Sequence, residues 1–404
     1  MIIEIHENSS YTIPNHHINV FKEFLSDNND LPLRLNGNTI SFDPYTVGSI
    51  TIEDLVINIK PRIKNITANH YLEMQLYNEG LIDEQISSLL DENFSFGMQE
   101  NIVELFLHEA FELVANGLEG DFIKVREESN KIKGQILVNE ISPMNLILDR
   151  IPVQYDVHTL NTSYNKIIKL ALDKVRILIS NSSQMKRYAI INSYFEDIES
   201  SLHDIDILLH ELKEKLYFIN EKYPIVIGLA EKILKDLRLN LRRNKIKSSS
   251  YLVNSNSIFE EYVRKILTNN LEVQISKWDR PKKIGKYKVD DKEFIKSYIP
   301  DILVDYNYDS DSAYTVLDAK NKDISNYNKM GALPDLYQIL FYCQSLNSNF
   351  GGLIYPHHEE LDPIRVNISS FNETNIFIFS IDFSQPLKKR HALLAENIKN
   401  TLHL

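Results

Sequence analysis

Apolar and polar positions alternate in two stretches of TVGSITIEDLVINIKP, where Ile50 and Ile52, then Leu55, Ile57 and Ile59, recur every second residue. That period sets one face of an extended chain on a core and predicts strands within a strand-rich segment, residues 1–63. At Ile18, Phe21, Phe24 and Leu25 the spacing becomes three and four, which predicts a short helix. Residues 68–117 keep helical spacing. Their last part, Asn101–Asn116, is strongly amphipathic and runs to Gly117, a residue suited to a helix C-terminus. Short extended pieces return over 121–157, in KIKGQILVNE and IPVQYDV. From Ser163 to about Leu239 the pattern is helical again, with Ile167, Ile168, Ala171, Val175 and Leu178 on one face.

The stretch LKDLRLNLRRNKIKSSS shifts composition, with basic residues followed by three serines, and predicts a boundary near residue 248. Beyond it SNSIFEEYVRKILTNN reads as a helix. YIPDILVDYNYD and SAYTVLDAK read as two strands joined by a polar turn, Asn307–Ser312. ALPDLYQILFYCQSL reads as a helix, and FGGLIYP and NIFIFSIDF as further strands. The expected fold is α/β (α+β over the whole chain) in three parts: a mixed strand and helix domain over 1–160, a helical middle over 161–248 and an α/β domain over 249–404.

Composition narrows the class. The 404 residues suffice for two or three domains, and 43% hydrophobic with 25% charged residues is ordinary for a globular protein. A single cysteine, Cys343, excludes an internal disulfide framework and a multi-cysteine zinc site. The opening MIIEIHENSS has no basic flank and is not a signal peptide, and no run approaches the roughly 20 apolar residues of a membrane span, so a cytoplasmic location without membrane contact is expected. A net charge of −12 argues against a protein that coats DNA by bulk charge.

The chemistry concentrates at Pro300-Asp301, Asp318-Ala319-Lys320 and Gln338. Asp318 and Lys320 are two apart on one predicted strand and share a face; if that strand pairs with the preceding one, Asp301 faces Asp318. Two carboxylates with water and a phosphate oxygen suit Mg²⁺ or Mn²⁺. Such an ion polarises a phosphoryl group and helps generate hydroxide. The lysine can stabilise developing charge, orient the attacking water or, if burial shifts its pKa, act as a base. Asp-x-Lys alone is more often a solvated surface pair; the apolar TVL before it, the strand upstream and the helix with Gln338 and Tyr342 downstream raise its weight.

This order of P-D, D-A-K and Q-x-x-x-Y resembles PD-(D/E)xK nucleases of the RecB-like type. Over most of its length the chain resembles the McrC family, the nuclease subunits of McrBC-type restriction systems. The features that carry this are IKPRI (59–63), NGLEG (116–120), KIKGQI (131–136), HTLNTSYNKIIKLAL (158–172) and SIFEEYV (257–263). The resemblance implies a restriction-endonuclease-like α/β domain at the C-terminus that cuts double-stranded DNA, methylated or unmethylated. It also implies an N-terminal part that docks on and stimulates a McrB-like AAA+ GTPase hexamer, and nuclease domains that pair on DNA. It assigns catalysis to Asp301, Asp318, Lys320 and Gln338, with Glu260 as the family's first-helix glutamate, although Glu261 competes for that place. The metal would be held by Asp301, Asp318 and Glu260. The chain carries no G-x-x-x-x-G-K-S/T phosphate loop, so GTP would enter only through the partner. Two other classes stay open: a non-cleaving adaptor of an AAA+ GTPase, and a stand-alone repair nuclease.

Arg242 and Arg243 in LRLNLRRNKIK, Lys277, Lys282 and Lys283 around Trp278, and Tyr342 are DNA-contact candidates, set against readings as a solvated helix end and as packing. Arg62, Lys131 and Lys133 could reach a partner's nucleotide site. The doublets His16-His17 and His357-His358 read as surface loops, and Cys343 as core. The acidic loop NYDSDS is expected at a hairpin tip, away from DNA.

Overall fold

The computed structural model describes residues 2–82, 86–88, 90, 97–179, 181–199, 205–212, 217–242, 245–290, 292–326, 330–368 and 374–404. The chain forms two compact units, one of residues Met1–Asn101 with Arg238–Leu404 and the other of Ile102–Leu237. The expected cuts near 160 and 248 do not coincide with these boundaries.

The first unit opens with β1 (Ile2–His6), β2 (Ser10–Thr12), helix α1 (Ile18–Asp27), β3 (Leu33–Asn36), β4 (Thr39–Phe42), β5 (Thr46–Ile52) and β6 (Leu55–Lys60). The alternating isoleucines do what their period requires: Ile50, Ile52, Leu55, Ile57 and Ile59 are fully buried and pack with Phe21 and Phe24 of α1. Helix α2 (Ala68–Glu79) follows. It starts at a capping box between Thr67 and His70 and stops at Gly80 in the left-handed region.

The second unit holds most of helix α3 (Met98–Ala115), then β7 (Asp121–Ser129), β8 (Gln135–Ile136), the short helix α4 (Pro143–Ile147) and β9 (Ile151–Thr159). Its helices are α5 (Ser163–Val175), α6 (Ser182–Ser193), α7 (Ile205–Leu212) and α8 (Tyr223–Lys235). Strand β9 pairs with β7 on one side and β8 on the other.

The basic stretch after residue 237 is not a helix end or a linker. It forms β10 (Arg238–Arg242) and β11 (Lys245–Asn254), and β11 pairs antiparallel with β5, completing a five-stranded sheet in the order β1-β6-β5-β11-β10. Backbone hydrogen bonding between residues some 200 positions apart unites the chain ends in one unit, a relation that local periodicity does not carry.

The remaining elements are α9 (Ser255–Asn270), β12 (Ile275–Ser276), β13 (Lys282–Val289), β14 (Lys292–Tyr298), β15 (Ile302–Asn307), β16 (Ser312–Ala319), α10 (Leu333–Ser345), β17 (Phe350–His357), β18 (Ile364–Val366), β19 (Asn375–Asp382) and α11 (Leu387–Leu402). A six-stranded sheet runs β12-β15-β16-β17-β19-β18, with β15 and β16 antiparallel and β16, β17 and β19 parallel. Helix α10 packs on β16 and β17. The fold class is α/β, as the element order predicts. No helix among the described residues is long and apolar enough to cross a membrane.

Candidate active site

Strand pairing builds the site. Ile302 stands opposite Leu317, so the same register carried one residue further sets Asp301 against Asp318. The Ala319 amide donates to Asp301 Oδ2 at 3.1 Å, which pins the first carboxylate to the second strand. Asp318 is 1% exposed. Lys320, two residues on, forms an ion pair with it and donates from Nζ to Gln338 Oε1 at 2.8 Å. Gln338 in turn donates to the Tyr342 hydroxyl at 2.7 Å. Asp301, Asp318, Lys320 and Gln338, scattered over 38 positions, therefore meet at one end of β15 and β16.

The electrostatics are those of crowded, half-dry carboxylates. Burial, and then the Asp301 carboxylate beside it, push Asp318 up to about 7. Burial, and then Glu260, raise Asp301. Two such groups resist ionising together unless a cation lies between them, so the donor set fits a hard divalent ion. Burial alone would lower the Lys320 ammonium, but Asp318 and Asp301 outweigh it and hold its pKa above the ordinary range. Held between two carboxylates in this way, Lys320 favours the role of a cation over that of a base.

Glu260 lies on α9, where its Oε1 accepts from Asn256 Nδ2 at 2.6 Å. Burial raises its pKa, with Lys277, Asp318 and Lys320 all close enough to act on it. It borders the site, beside Asp301, Asp318 and Lys320. Glu261 is exposed.

Four residues that sequence reading missed support the site. Lys322 Nζ donates to Asp335 Oδ1 at 2.6 Å and the Tyr355 hydroxyl to Asp335 Oδ2 at 3.2 Å. These bonds tie the first turn of α10 to the end of β16 and to β17, which aims Gln338 at Lys320. An acidic residue in a helix's first turn was a visible signal, but an ordinary one. Asn321 is buried and donates to Ser255 at the start of α9 at 3.0 Å.

Other candidates sort by burial. Tyr342 is 5% exposed and braces Gln338, so it does not present itself to DNA. Lys282 is committed elsewhere as well: it contacts Asp311 and Tyr306 and lies 4.1 Å above the Trp278 ring, which is itself core. Lys277 and Lys283 are exposed. Arg242 lies on the backbone of β10, and its side chain, like Arg243, falls outside the described residues. Arg62 binds Glu7 through its amide and Nε, Lys133 pairs with Glu127 at 2.8 Å, and Lys131 is exposed. The acidic loop sits at the tip of the β15–β16 hairpin, the end far from Asp301.

The histidine doublets are not simple surface loops. His17 is 2% exposed beneath the β5–β6 turn, its ring nitrogens 3.5 Å from Glu53 and 3.4 Å from Asp54. Helix α1 begins directly after it, which draws the ring inward. His357 and His358 are half-buried at the end of β17. Cys343 is core: burial pushes its thiol up to about 12, and it packs where a side chain on Gly351 would collide with it.

Comparison with known proteins adds the following. A family model described as McrBC 5-methylcytosine restriction system component matches residues 43–356. Among solved structures, a chain of a half-complex from the tetradecameric assembly of Thermococcus gammatolerans McrB AAA+ hexamers with bound McrC is 15% identical. The match covers 99% of this chain and 100% of that one, with a TM-score of 0.69, so the two share a fold. A chain of the Thermococcus gammatolerans McrBC complex is 16% identical over 67% of this chain and 88% of that one, with a TM-score of 0.49. No curated protein matches.

Proposed function

The chain belongs to the McrBC restriction-system component family, and from that premise we propose that it is the subunit of such a system that cuts DNA, through a metal-dependent PD-(D/E)xK centre at Asp301, Asp318 and Lys320. The observation that carries the reading is the convergence of these residues with Gln338 at one sheet end. Phosphodiester hydrolysis asks for this set. Mg²⁺ or Mn²⁺ held by Asp301 and Asp318 would supply charge to the phosphoryl group and an activated water. Lys320, locked between Asp318 and Gln338 and fully charged, places positive charge where the pentacovalent phosphorus gains negative charge. Glu260, with its raised pKa, borders the same space and can hold a water by hydrogen bonds.

The partner in this reading is a McrB-like AAA+ GTPase hexamer, which supplies the phosphate loop that this sequence does not contain. The second unit offers a surface for it. On the β7–β9 sheet and around α4, Phe122, Ile132, Val138, Met144 and Ile147 are each at least 60% exposed. Apolar exposure on this scale marks surfaces that are covered in an assembly.

The test is plasmid cleavage by this protein with the AAA+ protein encoded beside it, with GTP and Mg²⁺, on methylated and unmethylated DNA. Cutting that disappears in Asp318→Ala is the expected result. No cutting, with faster GTP hydrolysis when this chain is added, would replace the nuclease by an adaptor. Cutting by this chain without a partner would make it a stand-alone nuclease.

A further inference from the structure

The hairpin β13–β14 lacks what a two-stranded ribbon needs. Both strands are exposed along almost their whole length, and a lone hairpin is marginal in water. Its sequence is nevertheless built as though one face were covered. Tyr287 stands opposite Phe294, with rings stacked 5.3 Å apart at 16°, and Val289 opposite Lys292 shares that face. Tyr287, Val289 and Phe294 remain 45%, 49% and 42% exposed. Lys296, opposite Gly285 on the same face, lies 5.7 Å from the Tyr287 ring centre. This face is an aromatic strip with a lysine at either end.

Charge and position indicate what covers it. Residues 282–298 hold six lysines and three acidic residues, a net charge of +3 in a chain whose total is −12. The base of the ribbon is fixed to the candidate active site. Tyr298, the last residue of β14, packs against Trp278, Phe341 and Tyr342, and Pro300-Asp301 follows two residues later. Seven residues of β14 extend the arm by about 20 Å from that base, comparable to the width of a duplex. A major groove about 12 Å wide admits a two-stranded ribbon.

We propose that β13–β14 is a DNA-binding ribbon that lies in or along a groove of the duplex beside the scissile phosphate, with Lys292 and Lys296 on the backbone and Tyr287 and Phe294 against sugar or base edges. It rests on the reading of Asp301, Asp318 and Lys320 as a DNA-cutting centre. It adds that the nuclease domain holds duplex DNA by its own means, independently of any partner.

The test is binding of a fluorescent 30-base-pair duplex by the full chain, with Ca²⁺ in place of Mg²⁺, at several salt concentrations. The variants are Lys292→Glu/Lys296→Glu and Tyr287→Ala, both on an exposed ribbon, with thermal melting as the check on folding. The charge reversal is expected to weaken binding at least tenfold and to flatten the slope of log affinity against log salt by about two, one for each lost phosphate contact. Tyr287→Ala is expected to weaken binding without changing the slope. Affinity within twofold of the parent for both variants, or no duplex binding by the parent at low salt, would overturn the ribbon. So would a parent dimer that the variants dissociate, since the strip would then face a second copy. Asp318→Ala cleavage is read separately: its loss alongside unmoved ribbon variants would sink this inference and leave the nuclease standing.

Discussion

The Lys320 ammonium is held by two elements at once, donating to Gln338 of α10 at 2.8 Å while it pairs with Asp318 at the end of β16. The chain continues from Gln338 to the Tyr342 hydroxyl, which donates to the Ile299 carbonyl at a long 3.4 Å. Only the first link touches the proposed reacting centre. Lys320→Ala should therefore lower single-turnover cleavage by roughly 10²–10³-fold. Gln338→Ala, which loosens the lysine without removing it, should cost about 10–100-fold, and Tyr342→Phe less. Stimulation of a partner's GTP hydrolysis should be unchanged in all three. Equal losses for Lys320→Ala and Tyr342→Phe would contradict this ordering.

The buried aspartate pair should make stability depend on pH and, in the proposed reading, on a divalent ion. The Asp318 carboxyl is raised from 3.8 in the unfolded chain to about 7 in the folded one, by burial and then by Asp301. The folded state therefore binds its proton more tightly. Stability from this group is full below about pH 4, falls as pH rises towards 7 and is flat above. In EDTA, Asp318→Asn should melt higher than the parent at pH 8, with the gap closing towards pH 4. Mg²⁺ should raise the parent's melting temperature at pH 8 and leave the variant's unmoved. A variant that melts lower than the parent throughout, in EDTA, would show that the ionised pair is not strained.

Much of this site was legible because its parts are local. Asp-Ala-Lys shares a face by strand parity, and the turn at 307–312 makes the hairpin that brings Asp301 to Asp318. What was not legible depends on distant pairing. The stretch from Leu237 to Lys247 looks like a basic helix end, but Arg238–Arg242 and Lys245 onward are strand, because β5, formed by residues 46–52, offers its edge to β11. The sequence likewise marks Lys282 as one basic residue among several. Its commitment to Asp311 and Tyr306 depends on how β13 returns over the β15–β16 hairpin. Tyr342 was visible as a neighbour of Gln338 at helical spacing, but its burial was not, because spacing does not say which face of α10 the sheet covers.

Glycine 48 should be intolerant of change. It sits on β5 at φ +133°, a region that L side chains rarely adopt, and an added Cβ would lie 2.0 Å from the Tyr251 carbonyl oxygen of β11. The neighbour is backbone in a paired strand and cannot step aside. Gly48→Ala should cost at least about 2 kcal/mol through backbone strain and a disrupted ladder, read as a drop in melting temperature. Gly37, also at positive φ but with open space around it, should lose less on the same change.

Glu7 carries a buried network that reaches the residue beside Lys320. Its Oε1 accepts from the Arg62 amide at 3.1 Å and from Arg62 Nε at 3.3 Å, and its Oε2 accepts from Ser255 at 3.1 Å. Ser255 accepts from Asn321 Nδ2 at 3.0 Å, and Asn321 accepts from the Tyr71 hydroxyl at 2.7 Å, a phenol that burial keeps protonated. Glu7, Ser255 and Asn321 are each at most 2% exposed, so no water replaces a lost partner cheaply. Both Glu7 oxygens accept. Glu7→Gln keeps the shape but must turn an NH₂ towards one donor, and should destabilise the protein by about 1–3 kcal/mol in denaturant melts. Ser255→Ala interrupts the same chain one link later. Once either change is made the other has less to break, so the double variant should lose less than the sum of the two, with a coupling of about 0.5–3 kcal/mol. Strict additivity would mean that Glu7 and Asn321 are held independently, and that the link from the Arg62 segment to the strand end bearing Lys320 is spatial only.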